Sequence, residues 1–212
     1  MITAKQYIDK AAGYLGTAEG SYYHKQIIDA YNTISPRPAD YKLAYTDAWC
    51  AGFVSAVAWM LQIPRNKFPY ECSVARMVSR AQELKIWVED ESVKPNPGWL
   101  AIYSWKDANP SGDNHGAPNH VGIVQKVTTK NIYVIEGNYS NSVKVRQIAI
   151  NARYLRGFVA LKFSKASNGS DLDIAQEVID GKWGNGAARK KALKEAGYDP
   201  EKIQKLVNKL LK

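Results

Sequence analysis

Cysteine is scarce: Cys50 and Cys72 are the only two in 212 residues. A disulfide framework needs more, and two free thiols fit a reducing compartment. No Cys-x-x-Cys or His-x-x-x-His occurs, which argues against a structural zinc site. Histidine is limited to His24, His115 and His120. No apolar run reaches the length of a bilayer span, so membrane insertion is not expected. The opening Met1 to Asp9 lacks a basic segment followed by an apolar one, the pattern of a secretory signal. It carries Thr3 and Gln6 instead, the spacing of a capping box that opens a helix. Acidic residues are outnumbered, 20 to 29, for a net charge of +9. That excess points to an anionic partner, either nucleic acid or a polyanionic envelope. The lysines and arginines are scattered, with no basic stripe or binding motif, so nucleic acid is the weaker reading.

The order of patterns predicts an α+β domain followed by a small helical one. Helical spacing runs over 3–15, with Tyr7, Ile8, Ala11, Tyr14 and Leu15 on one face. Further helices are expected at His24 to Tyr31, from Cys50 to near Leu61, and at Ser73 to Leu84 under a Ser73 cap. After Pro95-Asn96-Pro97-Gly98 the pattern becomes strand-like: Trp99–Trp105, His120–Val127, Ile132–Glu136, Val143–Ile150 and Phe158–Phe163. Helices first and strands second argue for helices packed on an antiparallel sheet. Residues 1–164 read as this domain and 165–170 as a small-residue linker. Residues 171–212 read as a three-helix module. Its last helix starts at Asp199-Pro200 and carries Ile203, Leu206, Val207, Leu210 and Leu211 on one stripe.

Cys50 opens an apolar helical run, where unpaired N–H groups and the positive helix end favour thiolate. About seventy residues later, His120 opens a strand, and Glu136 and Asn138 close the next. If Val127 pairs with Asn131 in a hairpin, His120 falls opposite Asn138 with Glu136 diagonal to it. Opposite side chains lie about 4.5–5.5 Å apart at Cβ and diagonal ones about 7–8 Å. Either Glu136 or Asn138 can then orient the imidazole, the third role in a cysteine triad. A lone buried cysteine is more often a small core residue, and Cys72 is read as one. His24 is read as solvated on a polar helix face. His115, in a loop, is ranked behind His120.

The run Lys42 to Ala56 around Asp47-Ala48-Trp49-Cys50, with Asn119-His120-Val121-Gly122 and Val134-Ile135-Glu136-Gly137-Asn138, resembles the CHAP amidase/endopeptidase family. This papain-like group is common in bacteriophage endolysins and bacterial autolysins. The resemblance implies Cys50 as nucleophile, His120 as its base, and Glu136 and Asn138 as orienting groups. Many relatives carry an aspartate after the glycine at Gly98-Trp99, and this chain does not. Some bind calcium through an acidic loop before the cysteine. Only Asp40 and Asp47 stand there, so no metal and no cofactor are expected. Residues Asp173 to Gly186, with Arg189, Leu193, Tyr198 and Val207-Asn208, resemble the CW_7 cell-wall-binding repeat. That implies wall contact by Lys182, Trp183, Gly184, Asn185, Gly186 and Arg189, with Trp183 also plugging the core.

Together the two resemblances imply a peptidoglycan hydrolase of the phage-endolysin type. It would be either an N-acetylmuramoyl-L-alanine amidase or a stem or cross-bridge endopeptidase. Bacterial peptidoglycan is the expected partner. Trp49, Tyr103 and Trp105 are expected to flank the groove. The missing signal pattern implies residence in the host cytoplasm until holin-mediated release. An autolysin, a phage-tail hydrolase and a non-catalytic wall binder are the alternatives.

Overall fold

A computed structural model describes residues 2–106, 115–164, 171–196 and 198–211. The chain divides into two compact units, Met1–Phe163 and Ser164–Lys212. The expected linker at 165–170 lies outside the described residues.

The first unit begins with α1 (Ala4–Ala12) and α2 (Tyr22–Asn32). The Thr3–Gln6 capping box is formed at both ends, with the Gln6 N–H donating to Thr3 Oγ1 and the Thr3 N–H to Gln6 Oε1. α1 ends a turn earlier than its spacing predicts, and Leu15 is exposed beyond it. α3 (Cys50–Met60) is apolar on all sides, and Cys50 to Ala58 are all buried. A helix that is apolar all round belongs in the core. Gly52 admits Leu43 against it, since a Cβ there would sit 2.5 Å from Leu43 Cδ1. The Tyr7 hydroxyl donates to the Val54 carbonyl at 3.0 Å and ties α1 to α3. α4 (Val74–Glu83) starts at Ser73, whose hydroxyl accepts from the Arg76 N–H.

Among the described residues, six strands form one antiparallel sheet in the order β1-β6-β2-β3-β4-β5. They are β1 (Trp87–Val88), β2 (Leu100–Tyr103), β3 (His120–Val127), β4 (Asn131–Glu136), β5 (Lys144–Ala149) and β6 (Leu155–Val159). The last strand lies earlier than expected, and Phe163 leaves the sheet to pack on Tyr7, ring centroids 5.8 Å apart. The turn at Gly98-Trp99 closes through the Gly98 N–H donating to the Val124 carbonyl.

Alternation along the strands sorts side chains to two faces. Leu100, Ile102, Val121, Ile123 and Ile135 join the core with the helices. Ala101, Tyr103, Val124 and Val134 join a second cluster on the other face. A strap at 16–19 crosses to the loop after β4. Gly16 N–H donates to Val143, Val143 N–H to Thr17 and Glu19 N–H to Asn141, at 2.8–2.9 Å.

The second unit holds α5 (Asp171–Ile179), α6 (Gly186–Glu195) and α7 (Pro200–Leu210). Asp199 caps α7 by accepting from the N–H groups of Glu201 and Lys202. Ile174, Ala175, Val178, Leu193, Tyr198, Ile203 and Val207 form its core. Leu210 and Leu211, expected on the buried stripe, are 45% and 67% exposed. They stand at the end of α7, past the buried positions Ile203 and Val207.

Candidate active site

Cys50 is the first residue of α3, and Trp49 before it is the cap position. Trp49 is fully buried, and its indole N–H donates to Glu19 Oε2 at 3.0 Å. This anchors the residue next to Cys50 through the 16–19 strap. It also corrects the expectation that Trp49 flanks an open groove. His24 is corrected as well. It is buried with its ring 4.7 Å from Trp49, its Nδ1 accepts the Gly20 N–H, and burial lowers its pKa. Its helix face turns inward because Trp49 occupies the space beneath it.

His120 is buried at the start of β3, and its Nε2 lies 3.0 Å from Glu136 Oε2. Near the site the β3–β4 register follows the sequence expectation, with Val124 opposite Val134 and Ile123 opposite Ile135. A bulge at Gln125 shifts the outer half to Val127 opposite Ile132. β4 stops at Glu136, and Asn138 has left the strand with φ +58°. The diagonal residue Glu136 therefore reaches the imidazole. Among the described residues Asn138 makes no side-chain bond to it. Gly122 makes room for this geometry: a Cβ there would lie 2.6 Å from Glu136 Cγ.

Glu136 is fully buried and faces two cations. Arg146 on β5 donates through Nε to both carboxylate oxygens, at 2.9 and 3.0 Å. Burial would raise the Glu136 pKa, but the bonds and charges of His120 and Arg146 hold it below its ordinary value. For His120, burial favours the neutral ring. The Cys50 sulfur and Glu136, acting by hydrogen bonding and charge, outweigh that and push its pKa up to about 9. With Nε2 engaged by Glu136, Nδ1 is the nitrogen left for sulfur. The fully buried Tyr103 pairs with His120 across β2 and β3, and burial together with the facing Glu136 raises its phenol pKa. Trp105 stacks on Tyr103 at 4.8 Å and stands beside His120, partly exposed, as expected of a groove wall.

Sequence reasoning missed Arg146 and the role of Gly122. The strand expected at Val143–Ile150 contained Arg146. Only the register Val134 opposite Arg146 brings it to Glu136, and an unread loop sets that register. His115 pairs with Glu89 at 3.5 Å and takes no part here. Cys72 is half-buried and free.

In the second unit, Lys182 to Asn185 lie in the turn between α5 and α6, and Gly186 opens α6. Trp183 is half-buried, edge-on to Tyr198 at 5.6 Å, and its indole N–H donates to Glu177. Lys182, Gly184, Asn185 and Gly186 are exposed. Arg189 is half-buried and donates to Gln204 Oε1 at 2.8 Å.

A thiol at a helix start, beside an imidazole on a sheet and a buried carboxylate behind it, defines a papain-like domain. Residues 40–138 match the CHAP domain, and residues 173–211 match the CW_7 repeat. The chain thus carries a CHAP domain followed by a CW_7 repeat. The lysozyme of Streptococcus phage Cp-7 is 51% identical over 37 residues, which is 18% of this chain and 11% of that protein. The chain spans about a tenth of the length of this curated relative. No solved structure matches.

Proposed function

We propose that this chain is a peptidoglycan hydrolase of the phage-endolysin kind that cuts an amide bond by thiol chemistry. One observation carries the reading: in a CHAP domain, the Cys50 sulfur and the buried Glu136 carboxylate act on one imidazole. The CW_7 repeat and the phage lysozyme relative support the same polymer as substrate. Asn138 is kept in the proposed site as a half-buried neighbour, with Glu136 as the orienting group.

His120, its pKa raised by Cys50 and Glu136, takes the Cys50 thiol proton or already pairs with the thiolate as imidazolium. The Cys50 thiolate adds to the scissile carbonyl carbon. The oxyanion forms beside the Cys50 backbone N–H, which at the first helical position has no carbonyl four residues back to donate to. His120 gives its proton to the leaving nitrogen, the C–N bond breaks and a thioester remains. The neutral imidazole then takes a proton from water as the oxygen adds to the thioester. Thiolate departs and the imidazolium returns. Glu136 fixes the tautomer throughout and stabilises each imidazolium.

The amide is either the muramoyl–L-alanine bond or one within the stem or cross-bridge. The turn from Lys182 to Gly186, with Arg189, is the proposed wall contact. Synthesis in the host cytoplasm and release by a holin complete the reading. Turbidity of a purified wall suspension tests it: wild type clears and Cys50→Ala does not. Equal behaviour of the two would indicate a non-catalytic wall binder and reject the proposal. Mass spectrometry of the released fragments identifies the bond, since a new N-terminal alanine marks the amidase.

A further inference from the structure

Arg146 uses only one nitrogen on Glu136. Nε donates to both oxygens, while Nη1 and Nη2 have no partner among the described residues. The guanidinium is held in place from two sides, with its carbon 4.9 Å from the Trp105 ring centroid and 3.9 Å from that of Tyr139. The side chain is 23% exposed. A planar cation stacked between aromatic rings, with outward donors free, matches the geometry of an incoming carboxylate.

The placement is close to the chemistry. His120 Nε2 and Arg146 Nε stand 3.0 Å from the same Glu136 oxygen. An extended peptide advances about 3.3–3.6 Å per residue, so a group within about two residues of the scissile amide can reach the guanidinium.

We propose that the outward fork of Arg146 binds a free carboxylate of the substrate, within about two residues of the cut amide, and selects it over the carboxamide. This rests on the hydrolase reading and adds the chemistry of the substrate to it. Arg146 is then a specificity residue as well as a brace for Glu136.

The test uses two soluble wall peptides that differ only in that group, a carboxylate in one and its amide in the other. Wild type should cleave the carboxylate form about tenfold or more faster in kcat/KM, the range of a charged hydrogen bond. Arg146→Lys keeps a cation for Glu136 but has no second arm to offer. It should bring the two substrates within about threefold of each other, chiefly by slowing the carboxylate form. A merely structural Arg146 would slow both substrates alike and leave their ratio unchanged, which overturns the proposal. Equal rates for wild type overturn it too, and leave the hydrolase reading intact. Binding to Cys50→Ala, measured by calorimetry, separates the two claims. Tighter binding of the carboxylate form without cleavage by wild type would keep the anion site and reject the hydrolase. Equal binding of both forms would reject the site.

Discussion

Replacing Glu136 by glutamine keeps the shape of the side chain and removes its charge. Glu136 now accepts from His120 on one side and from Arg146 on the other. The amide can accept from one of these cations, and it turns an N–H2 group toward the other. The rise of the His120 pKa from 6.5 to about 9 corresponds to about 3 kcal/mol of preference for imidazolium, at about 1.4 kcal/mol per pH unit. Cys50 and Glu136 produce that rise against the effect of burial. Losing the carboxylate should lower the value by about one pH unit or more. kcat/KM on a soluble wall peptide should then fall about a hundredfold or more. Its basic limb, near pH 9 in wild type, should move down. Stability moves in a defined direction. A raised histidine pKa supports the fold fully below 6.5 and loses that support as pH rises through about 9. Wild-type melting temperature should therefore decline across that window, and the glutamine variant should show a flatter profile. Glu136 itself works in the opposite sense, and its support is lost as pH falls through its lowered pKa. A glutamine variant whose basic limb stays near pH 9 would refute the assignment of Glu136 as the partner of His120.

Asn138→Ala should leave the basic limb in place and reduce kcat/KM by less than about tenfold, because no bond joins Asn138 to the imidazole; a shifted limb would count against this. Gly122→Ala should lower activity and cost about 1–3 kcal/mol in urea denaturation, since its Cβ would crowd Glu136, Val134 and the Ile135 carbonyl. Trp183→Ala should weaken the second unit by about 2 kcal/mol or more, removing the Tyr198 contact and the bond to Glu177. Wall pull-down of that variant should drop in parallel with its helical circular dichroism signal. Removal of residues 165–212 should reduce lysis of whole walls more than cleavage of a soluble peptide, and added salt should narrow the difference.

Local rules were legible where local chemistry decides. Thr3, Ser73 and Asp199 cap helices as their side chains predict. Cys50 opens its helix, and the strand from His120 to Val127 has its expected ends. The inner register of β3 and β4 agrees with the expected one because the bulge at Gln125 offsets a loop one residue longer than expected. What escaped depends on distant segments. The turn after Glu136, which carries Asn138 out of line with His120, decided between two candidate orienting residues. The approach of Arg146 needed the register of β5. The burial of His24 needed Trp49, 25 positions away, and β1 is two residues long and pairs with β6. Alternation alone signals none of these.

The strap at 16–19 has a practical consequence for anyone building chimeras from the first unit. The recognised homology begins at residue 40, yet upstream backbone is laced to 141–143, and Glu19 grips the indole next to Cys50. A cassette trimmed to the homology limits, 40–138, would discard both sides of that lacing and leave Trp49 without its anchor. The transplantable piece is the whole of the first unit, beginning ahead of α1.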